Sequence, residues 1–351
     1  MAGGPMSDIE KNIMDLYSEA AKQFGALFTL SDQPLSQSSI FQMLTEVREH
    51  SFCPFTNYKV GAVLEVQLSD NLYFYTYGLN VEDNSHNRLS LHSEQNALAR
   101  MISLLGGDAK FSSLWVMAAP ADAVPDPTQQ PSKSCGHCRQ IMISLAQSME
   151  EIYAVTLDGR FSSPPDNFEE GEFLPDAFSE KNVNPDSLKL NSNAALVHIH
   201  SKLELWKTFA EPRNLTEDQL QKCLKKLSPH IIDADYQTSP ITACIVKSNN
   251  GYYTPGVLVQ DIAFLTTDTI FAAIGGAVTR FGAENLVFDE IHLASSELNP
   301  EQLTSAEIEA LTLGHYAHDQ TKVHFYTADQ HACYTFEQCR RARSEMLNRI
   351  A

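Results

Sequence analysis

Two short motifs constrain this chain more than anything else in it: His92-Ser93-Glu94 and, further on, Cys135-Gly136-His137-Cys138. Leu91, Leu98, Met101, Ile102 and Leu105 share one helical face, so the first motif opens a helix over 91–105, stopped by Gly106-Gly107. Cys138, Ile141, Met142 and Leu145 place the second motif at the start of another helix, with Ser134 as its expected N-cap. Two cysteines three residues apart on a first helical turn face the same way. The positive end of the helix favours their thiolates. A histidine from a neighbouring helix start completes a three-donor set, which leaves one open position on a tetrahedral zinc ion. Glu94 sits where it can reach a water at that position without binding the metal, take its proton and return it. The competing readings are a structural zinc and a redox pair. A structural zinc wants a fourth ligand; His137 is the obvious candidate, but its side chain should point away from the two cysteines.

The surrounding pattern is layered α/β. Ile13, Leu16, Ala20 and Phe24 suggest a small N-terminal helix, and Ile40, Met43, Leu44 and Val47 a second one. Strands are expected over 58–67 and 71–80, joined by a turn at Ser69-Asp70-Asn71, and again over 114–118 and 152–157. Residues 119–133 carry prolines at 120, 125, 127 and 131 and read as a loop. Alternation of strand and helix predicts a sheet between helices with some parallel pairing. An acidic, proline-bearing stretch at 164–176 reads as a connector. Beyond it the pattern partly repeats: a helical stretch to about 227, a strand over 241–246, a turn at Asn249-Asn250-Gly251, a strand over 252–259 and a helix over 267–277. Gly256 to Gln260 falls where Gly78 to Glu82 falls in the first half. In this second copy Leu258 and Gln260 replace Asn80 and Glu82, Thr266 and Asp268 fall near His92 and Glu94, and Ala294-Ser295-Ser296 occupies the place of the cysteine pair. The expected division is an N-terminal helical segment (1–34), a catalytic zinc domain (35–163), a linker (164–193) and a degenerate domain without metal (194–351). His315, His318, His324 and His331 lack the helical spacing of a zinc helix and read as surface or interface histidines.

Composition narrows the function. The formal net charge is −19, and no Lys/Arg run exceeds the pairs 225–226 and 340–341. Polynucleotide binding draws on phosphate neutralisation by cations, so nucleic acid is not an expected partner. No apolar stretch is long enough to span a bilayer, and the N-terminus lacks a signal-peptide core. The odd count of 7 cysteines has no disulfide-framework spacing, which points to a reducing, cytoplasmic setting.

With these residues in view the chain resembles the cytidine deaminase family, in its long two-domain form. Cys53-Pro-Phe-Thr-Asn-Tyr-Lys-Val-Gly-Ala62, Gly78-Leu-Asn80-Val-Glu82, His92-Ser-Glu94-Gln95, Ser134-Cys-Gly-His-Cys-Arg-Gln140 and Phe173-Leu-Pro-Asp-Ala-Phe178 each look like a segment of that family. The resemblance implies a three-layer α-β-α fold with a catalytic domain and a diverged second copy, one zinc per chain held by His92, Cys135 and Cys138, and pairing into a homodimer. It implies hydrolysis of cytidine and deoxycytidine to the uridines and ammonia, with Glu94 as proton carrier, in pyrimidine salvage. Asn80 and Glu82 would then bind the ribose hydroxyls, Tyr58 would lie near the base, and Ser93 would act through its backbone. Ser93 stands where the family usually has Ala, Ser134 where it usually has Pro, and the 119–133 loop is longer than usual. Alternatives are a deaminase of a cytosine nucleotide or modified nucleoside, and a non-catalytic binding protein of the same fold.

Overall fold

The computed structural model describes residues 5–24, 28–82, 90–105, 111–145, 151–162, 203, 205–227, 241–257 and 268–350. The expected linker, Phe173 to Phe178, Gly106-Gly107, Leu258, Gln260 and Thr266 lie outside them. The first half folds as α1 (Asp8–Phe24), β1 (Thr29–Ser31), α2 (Gln37–Glu49), β2 (Tyr58–Ser69), β3 (Leu72–Leu79), α3 (Ser93–Leu105), β4 (Phe111–Pro120), α4 (Gly136–Leu145) and β5 (Glu151–Val155). Its sheet runs β1-β3-β2-β4-β5, antiparallel except for β4–β5. α2 covers one face and α3 the other, so β2 is buried from Gly61 to Val66 rather than alternating. The N-terminal segment is not a separate piece. β1 pairs with β3 at the sheet edge. Beside it Phe28 stacks on Phe74, and Trp206 from the second half lies 4.7 Å from Phe28. A three-residue strand has no readable alternation, which is why the segment reads as helix and loop alone.

The second half contains α5 (Glu217–Leu227), β6 (Ile241–Ser248), β7 (Tyr253–Val257), α6 (Thr269–Phe281), β8 (Phe288–Ser295), α7 (Ser305–Leu313), β9 (Lys322–Tyr326), β10 (His331–Thr335) and α8 (Phe336–Ile350). Its sheet runs β10-β9-β8-β6-β7. The order β7-β6-β8-β9 repeats β3-β2-β4-β5, and β8–β9 is parallel like β4–β5. α5 and α6 cover its two faces as α2 and α3 cover the first sheet. α3 and α6 pack on each other between the halves. Asn96 donates to the Thr279 hydroxyl at 3.2 Å, and Arg100 to the Gly276 carbonyl at 3.3 Å. This two-sided burial explains why α6 is apolar all round. Among the described residues no helix is long and apolar enough to cross a membrane.

Close backbone contacts fix how the halves correspond. Gly78 lies against the Ser93 carbonyl and Ala97 amide, and Gly256 against the Thr269 carbonyl and Ala273 amide. Asp268 therefore stands opposite His92, not Glu94, and apolar Ile270 stands opposite Glu94. The strand-to-helix connection is shorter in the second half, which sequence spacing alone conceals. The helix starts correspond too: the Cys135 carbonyl accepts the Arg139 amide, as the Thr304 carbonyl accepts that of Ile308. Thr304 and Glu307 thus occupy the places of Cys135 and Cys138. Ala294 and Ser295, expected there, lie at the end of β8.

Thr304 and Glu307 form a reciprocal capping box on α7. Burial and the neighbouring Asp268 push the Glu307 carboxyl up to about 7, outweighing the hydrogen bonds from Thr304. A carboxyl raised on folding contributes stability at low pH that fades as pH climbs from its unfolded value toward 7. Glu307→Gln should therefore raise the melting temperature at pH 8 and change it little at pH 5. Thermal denaturation at both pH values checks this; equal shifts at both would contradict it.

Candidate metal and catalytic site

His92 precedes the first turn of α3, and Cys135 and Cys138 bracket the first turn of α4. The His92 Nδ1 lies 3.4 Å from Cys135 Sγ and 3.3 Å from Cys138 Sγ. The three donor atoms all fall within 4.8 Å of one another. Hydrogen bonds from Cys138 and His92 hold the Cys135 thiol down to about 3, while donation to Cys135, together with burial, pushes Cys138 up. The hydrogen bond to Cys135 likewise raises His92. One sulfur is thus a thiolate, with protons on its neighbours that a cation displaces. Two sulfurs and an imidazole nitrogen converging from two helix starts suit zinc. His137 is not one of the three; its exposed ring lies 5.1 Å from that of His92. Arg139 fixes the start of α4 by donating to the Ser134 carbonyl at 2.9 Å. Ser134 is not a side-chain cap: its buried hydroxyl has no hydrogen-bond partner.

Glu94 is buried, and its carboxylate lies near enough to Cys138 to raise that thiol. Ser93, fully buried, donates its hydroxyl to Glu94 Oε2 at 2.8 Å. The side chain expected to be a passive replacement for Ala therefore orients the carboxylate beside it.

β3 ends at Leu79, and beyond it Val81 bridges Phe52 on one side and Leu91 on the other. The Asn80 amide is already engaged: Nδ2 donates to the Tyr58 carbonyl at 2.9 Å, and Oδ1 accepts the Val60 amide at 2.8 Å. These two bonds tie the segment to β2. Glu82 Oε2 accepts the Phe55 and Thr56 amides at 3.0 and 3.1 Å, and Oε1 accepts the Thr56 hydroxyl. The Tyr58 hydroxyl bonds Ser132 at 2.8 Å, which anchors the proline-rich loop just before Cys135. Thr56 and Ser132 were not singled out from sequence. Each is a small hydroxyl in a turn-rich segment, and only the folded contacts distinguish it.

The fold and site define a layered α/β domain with a His/Cys/Cys zinc site and a carboxylate beside it. Residues 35–156 match the family model described as the cytidine and deoxycytidylate deaminase zinc-binding region. Over these residues the chain is similar to cytidine and deoxycytidylate deaminases. It is 29% identical over 122 residues to a cytidine deaminase of Mycoplasma pneumoniae, covering 35% of this chain and 81% of that protein. It is 25% identical over 138 residues to one from Sporosarcina psychrophila, covering 39% and 88%. Among solved structures, cytidine deaminase from Burkholderia pseudomallei aligns at 28% identity and TM-score 0.32, covering 41% of this chain and 100% of that one. The enzyme from Mycobacterium tuberculosis aligns at 21% identity and TM-score 0.30, covering 41% and 98%.

Proposed function

We propose that this protein hydrolyses cytidine and 2′-deoxycytidine to uridine and 2′-deoxyuridine with release of ammonia. The observation that carries the reading is the buried Glu94 beside the three metal donors, a carboxylate that a purely structural zinc does not need. His92, Cys135 and Cys138 would hold a zinc ion, which when bound would supply Lewis acidity for activating a water near neutral pH. Glu94 accepts the proton of the attacking water and delivers it to N3 of the pyrimidine, then takes the proton of the new C4 hydroxyl and passes it to the departing amine, which leaves as ammonia. Ser93 holds Glu94 in the orientation this shuttle requires. Glu82 accepts a ribose hydroxyl; Asn80 holds the strand that carries it and offers its second amide hydrogen. Tyr58 borders the base through its ring while its hydroxyl pins the loop.

Glu82 also favours nucleoside over nucleotide, because a carboxylate near the sugar repels a phosphate. None of the seven cysteines is paired in a disulfide, which suits a cytoplasmic salvage role. We include a homodimer in this reading. The test is the fall in cytidine absorbance with zinc-loaded protein, run beside deoxycytidine, deoxycytidine monophosphate and single-stranded DNA. Turnover of both nucleosides, with little of the monophosphate or DNA, is expected. Folded, zinc-replete protein that leaves both nucleosides untouched would refute the reading.

A further inference from the structure

Among the described residues a second group of metal-type donors stands apart from the first. Glu290 and His292 on β8 and His324 on β9 place their donor atoms within 4.8 Å of one another. The β8–β9 register sets His292 directly beside His324, and the two rings stack at 4.5 Å. Glu290, two residues before His292 on the same strand, shares its face, and His292 Nε2 lies 3.1 Å from Glu290 Oε2. The other carboxylate oxygen faces Lys247 at 3.5 Å, so one oxygen is steadied and one is turned to the imidazole.

What surrounds the group is built as a support for ligands. His331 on β10 is 2.8 Å from Glu217 through Nδ1 and 2.9 Å from His324 Nδ1 through Nε2. A carboxylate only accepts, so His331 donates from Nδ1 to Glu217. Its Nε2 then accepts the proton of His324 Nδ1, which leaves a lone pair on His324 Nε2, with the exposed Cys333 Sγ 3.8 Å from it. His292 Nδ1 meets the Tyr326 hydroxyl at 3.3 Å, which fixes that ring from its other side. Metal-binding histidines characteristically bond their second nitrogen to a carboxylate, carbonyl or similar group, directly or in relay. His292 is buried, while Glu290 and His324 are half-buried and Cys333 beside them is exposed, so the group opens to solvent along β10.

The first sheet supplies a comparison. Ala62 pairs with both Gly78 and Val116, as Cys244 pairs with both Gly256 and Leu293. His292 and His324 therefore occupy the places of Trp115 and Tyr153, which stack at 5.8 Å and carry no metal-type donor. Filling this rung beneath a covering helix requires only aromatic rings. The second half puts two imidazoles there, with a carboxylate alongside and an acid–imidazole relay behind.

We propose that Glu290, His292 and His324 form a second metal site, selective for a divalent transition ion of the zinc type, in the half of the chain that lost the first ligand set. Two imidazoles and one carboxylate are a recognised zinc donor set, and they leave a fourth position for water. The chain then holds two ions rather than the one expected from its motifs. The test titrates the full chain with zinc against a chromophoric chelator. About two equivalents should bind to the wild type and about one to a Cys135→Ser/Cys138→Ser variant, whose remaining ion is the second. His324→Tyr, which copies the first sheet, should keep the fold by circular dichroism and lose one equivalent. Glu217→Ala, which removes the acceptor behind His331, should weaken the second ion roughly 10–100-fold. A wild type that stops at one equivalent, or a folded His324→Tyr chain that still binds two, overturns the site. Should His324→Tyr not fold, Glu290→Gln, at a half-buried position, gives the same decision by the same readout.

Discussion

Glu94→Gln is expected to lower cytidine turnover by roughly 10²–10⁴-fold while leaving the zinc content unchanged. Glutamine matches the shape of the buried side chain and can still meet the Ser93 hydroxyl 2.8 Å from Oε2, so packing at the start of α3 is preserved. It cannot accept a proton from water and pass it on. The three donors on His92, Cys135 and Cys138 are untouched. The experiment pairs a rate with a metal analysis. Lost turnover with zinc retained places Glu94 in the chemistry. Lost turnover with lost zinc would instead make it part of the metal's support, and undiminished turnover would remove it from the mechanism.

The site was legible in the sequence to the extent that its chemistry lies in side chains at helix starts. His92, Cys135 and Cys138 converge because helix periodicity fixes where the first turns point, and that periodicity can be read directly. The limits of β2, β3 and α3, and the turn at Ser69-Asp70-Asn71, follow from alternation and turn chemistry in the same way. Three things could not be read. β1 is stabilised by its partner strand, not by any pattern of its own. The correspondence between the halves depends on the length of a connection, and equal spacing misplaced Asp268. The Glu290, His292 and His324 group joins neighbouring strands, and a search along helical spacing does not see a cross-strand pair. His292 drew no notice in sequence because its partners lie on other strands or two residues away with no motif between them. Ser93 is a further case: only the folded contact makes it a hydrogen-bond donor to Glu94.

Gly78→Ala should be the most damaging single methyl group in the first half. A Cβ there would sit 2.0 Å from the Ser93 carbonyl oxygen and 2.4 Å from the Ala97 nitrogen. Both are backbone atoms of α3, so no rotamer change relieves the overlap; the helix itself must move off the sheet. Overpacking of a core costs typically 1–3 kcal/mol when side chains can yield, and here the loss should exceed about 3 kcal/mol. The moving element carries His92 and Glu94 at its start, and a displacement of about 1 Å can cost a further 10²-fold in rate. Gly256→Ala meets the same obstacle, 2.3 Å from the Thr269 oxygen and 2.5 Å from the Ala273 nitrogen, but on the half that lacks His92 and its cysteine partners. The pair of variants therefore separates stability from site geometry. Both should lower the urea midpoint, while only Gly78→Ala should loosen zinc at His92, Cys135 and Cys138 under conditions where both chains remain folded. A Gly78→Ala protein within about 0.5 kcal/mol of the wild type would mean that α3 is free to shift, and that the strand-to-helix contact does not set the position of the site.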